Sequence, residues 1–170
     1  MLSYFAYGSN MSRARMARRV KGAQLLGVAV LVGSVLRWHK RSTDGSGKCD
    51  AFETGRSTDR VIGVLYQIDE SQSARLDEVE GVGHGYRRKG VNVASSTATV
   101  AAITYVASPD CIDSTVRPYE WYKEHVLSGA REHGLPSDYV AMIERVQADA
   151  DPDPARSRRE RQICGTSLRT

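Results

Sequence analysis

The 170-residue sequence contains no apolar run approaching the roughly 20 residues that a membrane-spanning helix needs, so no membrane association is expected. It has no C-x-x-C pair. Its three cysteines, Cys49, Cys111 and Cys164, are odd in number and far apart, which argues against a disulfide framework or a metal or redox pair and in favour of reduced thiols. None of the four histidines (His39, His84, His125, His133) stands in H-E-x-x-H spacing, so a zinc hydrolase has no support. The opening residues Met1-Leu2-Ser3-Tyr4 show no basic region, apolar stretch or small-residue cleavage site, and a cytoplasmic location is the expectation. Without an export signal, the sequon Asn10-Met11-Ser12 carries no meaning.

Acidic residues are also missing over a long stretch. Up to Ser42 there are eight basic residues and no acidic one, whereas Thr43 to Ala155 holds eleven basic and nineteen acidic residues. The net charge of +4 comes from the last fifteen residues, which carry five arginines and one glutamate, leaving residues 1–155 balanced. Nucleic acid is therefore not expected as a partner. Contact with it would rest on Arg156, Arg158, Arg159 and Arg161, which have no aromatic residues between them. The basic cluster Arg13, Arg15, Arg18, Arg19 and Lys21 reads as the solvated face of a short helix, or as a local field favouring an anionic ligand.

The chain is long enough for one domain with a real core, and its 41% hydrophobic and 26% charged content is that of a globular protein. Residues 1–150 are read as that domain, and 151–170 as a basic C-terminal tail reached through the breaker-rich segment Asp149–Pro154. Leu2–Tyr7 reads as a buried strand broken by Gly8-Ser9-Asn10, with a helix from about Ser12 to Arg19 capped by Asn10 or Ser12. Gly22–Trp38 suits one long strand or two, Arg41–Lys48 a loop, and Val61–Ile68 a strand. Ser71–Glu80 reads as a short helix stopped by Gly81, and Tyr86–Ala94 and Ala98–Ala107 as strands joined by Ser95-Ser96-Thr97. Pro118 is placed at the first position of a helix running to His133, and Ser137 at the cap of another whose apolar positions are Tyr139, Val140, Ile143 and Val146. Such an order predicts a mixed α/β domain around an antiparallel or barrel-like sheet.

Two places have the residue types that chemistry needs. At the junction Tyr4-Phe5-Ala6-Tyr7-Gly8-Ser9-Asn10, a glycine lets backbone approach a ligand, and the first amides of the next helix are donors without partners. Most such junctions bind nothing, and Ser9 lacks the G-x-S-x-G elbow of a hydrolase. The second place is Leu76-Asp77-Glu78-Val79-Glu80-Gly81. At about 100° per residue Glu80 lies roughly 40° from Leu76, beside the apolar stripe, while Glu78 points about 160° away towards water. A carboxylate in the last helical turn, partly buried and close to Asp77, would hold its proton more readily and could exchange it near neutrality. An exposed, frayed helix end remains the alternative. Tyr7, Tyr86, Tyr105 and Tyr122 read either as core aromatics or as hydroxyls orienting an amide or carboxylate.

These segments, in this order, resemble the γ-glutamylcyclotransferases and their AIG2-like relatives. Tyr4–Asn10 matches that family's opening signature. Val61–Tyr66 resembles its central strand, and Leu76–Val82 with Tyr86 the end of its catalytic helix; Tyr105, Tyr122 and Glu132–Pro136 continue the pattern. The resemblance spans about residues 3–140, and Arg41–Asp59 departs from it. It implies a small antiparallel or mixed β-barrel with peripheral helices, and cyclisation of a γ-glutamyl amide to 5-oxoproline by intramolecular acyl transfer. By position it implies Glu80 as general acid–base and Tyr4, Phe5, Ala6, Tyr7, Gly8 and Ser9 as the loop holding the glutamyl group. It implies Tyr122 as completing that site, with Tyr86 and Tyr105 lining it. It implies a small-molecule γ-glutamyl substrate, no metal or organic cofactor, and a possible homodimer. A non-catalytic member of the same fold, binding a small acidic metabolite or a protein, is the alternative.

Overall fold

The protein is described by a computed structural model covering residues 1–165. The strands are β1 (Leu2–Ala6), β2 (Gln24–Val32), β3 (Ser34–Arg41), β4 (Gly47–Glu53), β5 (Arg60–Ile68), β6 (Tyr86–Ser95) and β7 (Thr99–Ala107), and all but β4 draw on β-branched or several aromatic residues. Five of them close into a barrel in the order β1-β5-β2-β6-β7, which leaves no free edge. Neighbours run antiparallel except at the seam, where β1 meets β7 in parallel at Tyr4 and Ile103. Phe5, Val61, Val64, Ile68 and Val93 are completely buried. Gly63 is required where β5 passes β1: a methyl group there would lie 2.4 Å from the Ala6 carbonyl and 2.9 Å from the Phe5 ring.

Gly22–Trp38 divides into two strands at Gly33, whose φ of +81° turns the chain out of the barrel. β3 then pairs with β4 in a separate two-stranded sheet. The segment expected to be a loop up to Lys48 is shorter than that, because β4 begins at Gly47. Lys48 and Asp50 give this strand the composition of a loop, yet both are buried and satisfied. Lys48 Nζ reaches Asp44 at 2.8 Å and lies 4.7 Å from the centre of the Trp121 ring. Asp50 accepts from the Ala107 amide at 2.8 Å and lies 2.9 Å from His39.

Among the described residues five α-helices surround the sheets: α1 (Arg13–Arg19), α2 (Ser73–Glu80), α3 (Glu120–Glu132), α4 (Ser137–Glu144) and α5 (Pro154–Gly165). Ser12 caps α1, accepting from the Arg15 amide, and Gly81 ends α2 in the left-handed conformation at φ +68°. α3 starts two residues after Pro118, with Tyr119 at its N-cap, so the proline precedes the helix. Ser137 is the first residue of α4, behind Pro136, and makes no capping bond; Tyr139 and Ile143 are buried, while Val146 lies beyond the helix.

The arginine-rich segment expected to leave the domain as a tail instead forms α5, packed on α1 and α3. Glu160 bonds to Arg15 and His125, and Arg161 pairs with Glu120 and Glu124. The remaining tail positions, 166–170, lie outside the described residues. No described helix is long and apolar enough to cross a membrane.

Candidate active site

The barrel end from which β1 exits carries a half-open hollow of about 300 Å³, its solvent-filled mouth included. β1 and the following turn contribute Tyr4, Tyr7, Gly8, Ser9 and Asn10; β4 contributes Cys49 and α2 its last residue, Glu80. Tyr86, Tyr105 and Tyr122 come from β6, β7 and α3. The turn Ser9–Met11 is fixed from behind by α3. At Gly129 a methyl group would lie 2.5 Å from Met11 Cβ and from the Ser12 nitrogen, so only a glycine admits this approach. Gly8 is similarly enclosed, since a side chain would come within 3.2 Å of Cys49 Cβ and the Tyr122 hydroxyl.

Two of the residues expected in the glutamyl-holding loop, Phe5 and Ala6, do not line the hollow. Alternation along β1 turns the Phe5 ring towards Gly63, away from the wall to which Tyr4 contributes. Ala6 is buried against the same strand.

Glu80 is where the two segments meet. Asn10 Nδ2 donates to Glu80 Oε1 at 2.6 Å and also lies 3.0 Å from the Tyr4 hydroxyl. Arg19 Nη1 donates to the same Oε1 at 3.1 Å and to Asn10 Oδ1 at 2.9 Å. Both donors converge on one carboxylate oxygen, and among the described residues no hydrogen bond reaches Oε2. The side chain is 14% exposed. Glu78 points outward at 71% exposure and pairs with Arg75. Asp77 accepts from the Tyr105 hydroxyl at 2.5 Å and pairs with Arg88 at 3.3 Å, so its charge is already engaged.

The basic cluster on α1 is not a uniformly solvated face. Arg15 is 7% exposed and Arg19 turns to Glu80, because their counter-charges come from α5 and α2, far away in sequence. A run of 43 residues without an acid is a sign that partners must be remote, but it does not say which acid Arg19 meets. Asn10 reads as a cap in sequence but acts here as the bridge between Tyr4 and Glu80. Cys49 had no signal, since β4 itself did not.

Burial raises the phenols of Tyr4, Tyr7, Tyr86 and Tyr122 well above their ordinary value, with the Glu80 charge adding to the effect at Tyr4, Tyr86 and Tyr122. Burial and the bond to Asp77 raise Tyr105 as well. All five stay protonated; Tyr7, Tyr86 and Tyr105 donate hydrogen bonds, while the hydroxyls of Tyr4 and Tyr122 accept them. Tyr86 donates to the Cys49 carbonyl at 2.6 Å, Tyr7 donates to the Tyr105 carbonyl, and Tyr122 accepts from the Cys49 amide at 3.0 Å. Burial pushes the Cys49 thiol up to about 12, so it is no thiolate nucleophile. Among the described residues no group of three or more His, Cys, Asp or Glu side chains is placed to hold a metal ion. The wall therefore offers one partnered carboxylate, protonated hydroxyls and a glycine-bearing turn. That set suits recognition of a small polar molecule and proton transfer at one point.

Residues 60–143 match the AIG2-like family. The chain is 30% identical over 155 residues to a gamma-glutamylcyclotransferase of Bos taurus, spanning 85% of this chain and 78% of that one. It is 29% identical over 151 residues to one of Homo sapiens. A solved structure titled gamma-glutamyl cyclotransferase superposes with a TM-score of 0.82 at 26% identity, covering 97% of this chain and 98% of that one.

Proposed function

The chain belongs to the γ-glutamylcyclotransferase family of enzymes, and from that premise we propose that it cyclises a small γ-glutamyl amide to 5-oxoproline, with Glu80 carrying the proton. The observation that supports this reading is the bond from Asn10, in the turn after β1, to Glu80, the one carboxylate among the described residues that line the hollow.

In the reaction the substrate's own α-amine attacks its γ-carbonyl carbon. A C–N bond forms, the five-membered ring closes, and the bond to the leaving nitrogen breaks. No protein nucleophile is needed, in keeping with the neutral Cys49 thiol. Folding the substrate chain inside a small hollow supplies proximity, where effective molarities reach roughly 10⁵–10⁸ M. Glu80 takes the proton that the attacking amine must lose and returns it to the departing amine. Oε1 is anchored by Asn10 and Arg19, which leaves Oε2 as the oxygen that exchanges the proton. Backbone amides of the Gly8–Asn10 turn supply donors for the tetrahedral oxyanion, each worth about 3–4 kcal/mol in comparable sites. Tyr4, Tyr7, Ser9, Tyr86, Tyr105 and Tyr122 shape the glutamyl site.

The test is a mass-spectrometric screen for 5-oxoproline over γ-glutamyl dipeptides, glutathione and γ-glutamylamines. Stoichiometric release of 5-oxoproline and free amine from at least one class is expected. Absence of product from every class would contradict the reading.

A further inference from the structure

Behind the turn that lines the hollow lies a second set of polar side chains, which the proposed chemistry does not use. Arg15 Nε donates to the hydroxyl of Ser9 at 3.1 Å, and its Nη1 donates to Glu160 on α5. Glu160 also lies 3.2 Å from His125 Nε2, and His125 Nδ1 lies 3.0 Å from Cys164 Sγ, again on α5. Cysteine, histidine and carboxylate in this order resemble a nucleophilic triad, but the chemistry is wrong for one. His125 is completely buried, which keeps its imidazole neutral, and burial pushes the Cys164 thiol up to about 11. A neutral imidazole then donates from Nε2 to Glu160 and accepts the thiol proton at Nδ1. The group is built to hold Glu160 in place.

We propose that Glu160 is a positioning residue for the substrate-binding turn: α5 delivers it to Arg15, and Arg15 holds Ser9 against the hollow. The inference rests on the reading above that this turn binds substrate. Arg15 is only 7% exposed, with its guanidinium 5.7 Å from the centre of the Trp121 ring, and among the described residues Glu160 is its one carboxylate partner. The neighbouring cation Arg19, one helical turn on, is committed to Glu80 and repels it. Without Glu160 the guanidinium would be a buried, uncompensated charge, and its lowest-energy course is to leave the Ser9 hydroxyl for solvent. A glutamate on the C-terminal helix is thereby connected to a residue of the hollow 151 positions earlier by two consecutive hydrogen-bonded contacts.

The experiment compares Glu160→Gln and Arg15→Lys with the wild type and with Arg161→Ala. Arg161→Ala removes another α5 contact, to Glu120 and Glu124, without touching Arg15. Arg15→Lys keeps the charge beside Glu160 but cannot bond Ser9 and Glu160 with one planar fork. In Glu160→Gln and Arg15→Lys, KM is expected to rise about tenfold, the scale of one lost charge-assisted hydrogen bond, while kcat changes by less than about threefold. Amide hydrogen exchange of the 9–12 segment is expected to quicken about tenfold in the same two variants and to stay at the wild-type rate in Arg161→Ala. In a Ser9→Ala background, Glu160→Gln should add little further to KM. Unchanged exchange and KM in both variants, or equal changes in Arg161→Ala, would overturn the relay. Lack of turnover by the wild type would instead sink the proposed activity and leave the exchange comparison to decide the relay.

Discussion

At the scale of single residues, the site depends on how Glu80 is held. Asn10 and Arg19 both bond Oε1, and Asn10 also lies within hydrogen-bonding distance of Tyr4. Replacing Asn10 with alanine leaves Arg19 as the sole anchor and lets the carboxylate drift. A misplacement of about 1 Å costs on the order of 100-fold in turnover. Asn10→Ala is therefore expected to lower kcat by about that factor, with substrate still protecting the protein in thermal-shift assays; a kcat within threefold of wild type would show that the amide does not position Glu80. The carboxylate's place beside the apolar stripe was legible from the spacing of Leu76, Val79 and Glu80. Its partners were not. Hydrogen bonds between residues 61 and 70 positions apart leave no trace in local periodicity.

At the scale of elements, the glycines set how closely the pieces approach. α3 lies against the turn after β1 because Gly129 has no side chain, and the clash that a methyl group would make is with the backbone at Ser12 as well as with Met11. Alanine at this position is the better helix former by about 1 kcal/mol. Overpacking against an element that cannot yield costs about 1–3 kcal/mol, so the packing effect prevails. Gly129→Ala is expected to lower Tm, to raise KM through Ser9 and to lower kcat through Asn10, because the displaced turn carries both; a raised Tm with unchanged KM and kcat would mean that the turn does not feel α3. Most elements were readable from sequence. β1, α1, β5, α2 and the β6–β7 hairpin all show the apolar periodicity or stop residues that define them. β4 and α5 were missed for a common reason: their charged residues are neutralised by partners supplied elsewhere. Lys48 sits among aromatic rings with Asp44, and Glu160 takes up both Arg15 and His125.

For the whole molecule, the buried polar network makes stability depend on pH in one direction. Burial opposes the charge of Glu160, but the hydrogen bonds from His125 and Arg15 and the charge of Arg15 prevail and hold its carboxyl down at about 2, against an ordinary 4.5. The folded state therefore binds this proton less readily than the unfolded chain. Its stabilising contribution is complete above pH about 4.5 and is lost as pH falls towards 2. Burial also depresses His125 below its ordinary 6.5, so its contribution too is lost on acidification, starting at higher pH. Urea unfolding at pH 7, 4 and 3 should show wild type losing stability faster than Glu160→Gln, with the gap between them closing; a constant gap would contradict the assignment. The barrel and the identity of the family were legible in the order of short motifs along residues 3–140. The docking of the C-terminal helix was not, since its arginines look the same whether solvated or paired. If Glu80 moves the proton in cyclisation, as proposed, single-turnover release of 5-oxoproline by Glu80→Gln beside Glu78→Gln shows it. A loss of about 10²–10⁴-fold is expected for Glu80→Gln with substrate binding retained, and near-wild-type release for Glu78→Gln. Near-wild-type release from Glu80→Gln, or an equal loss in both variants, would contradict it.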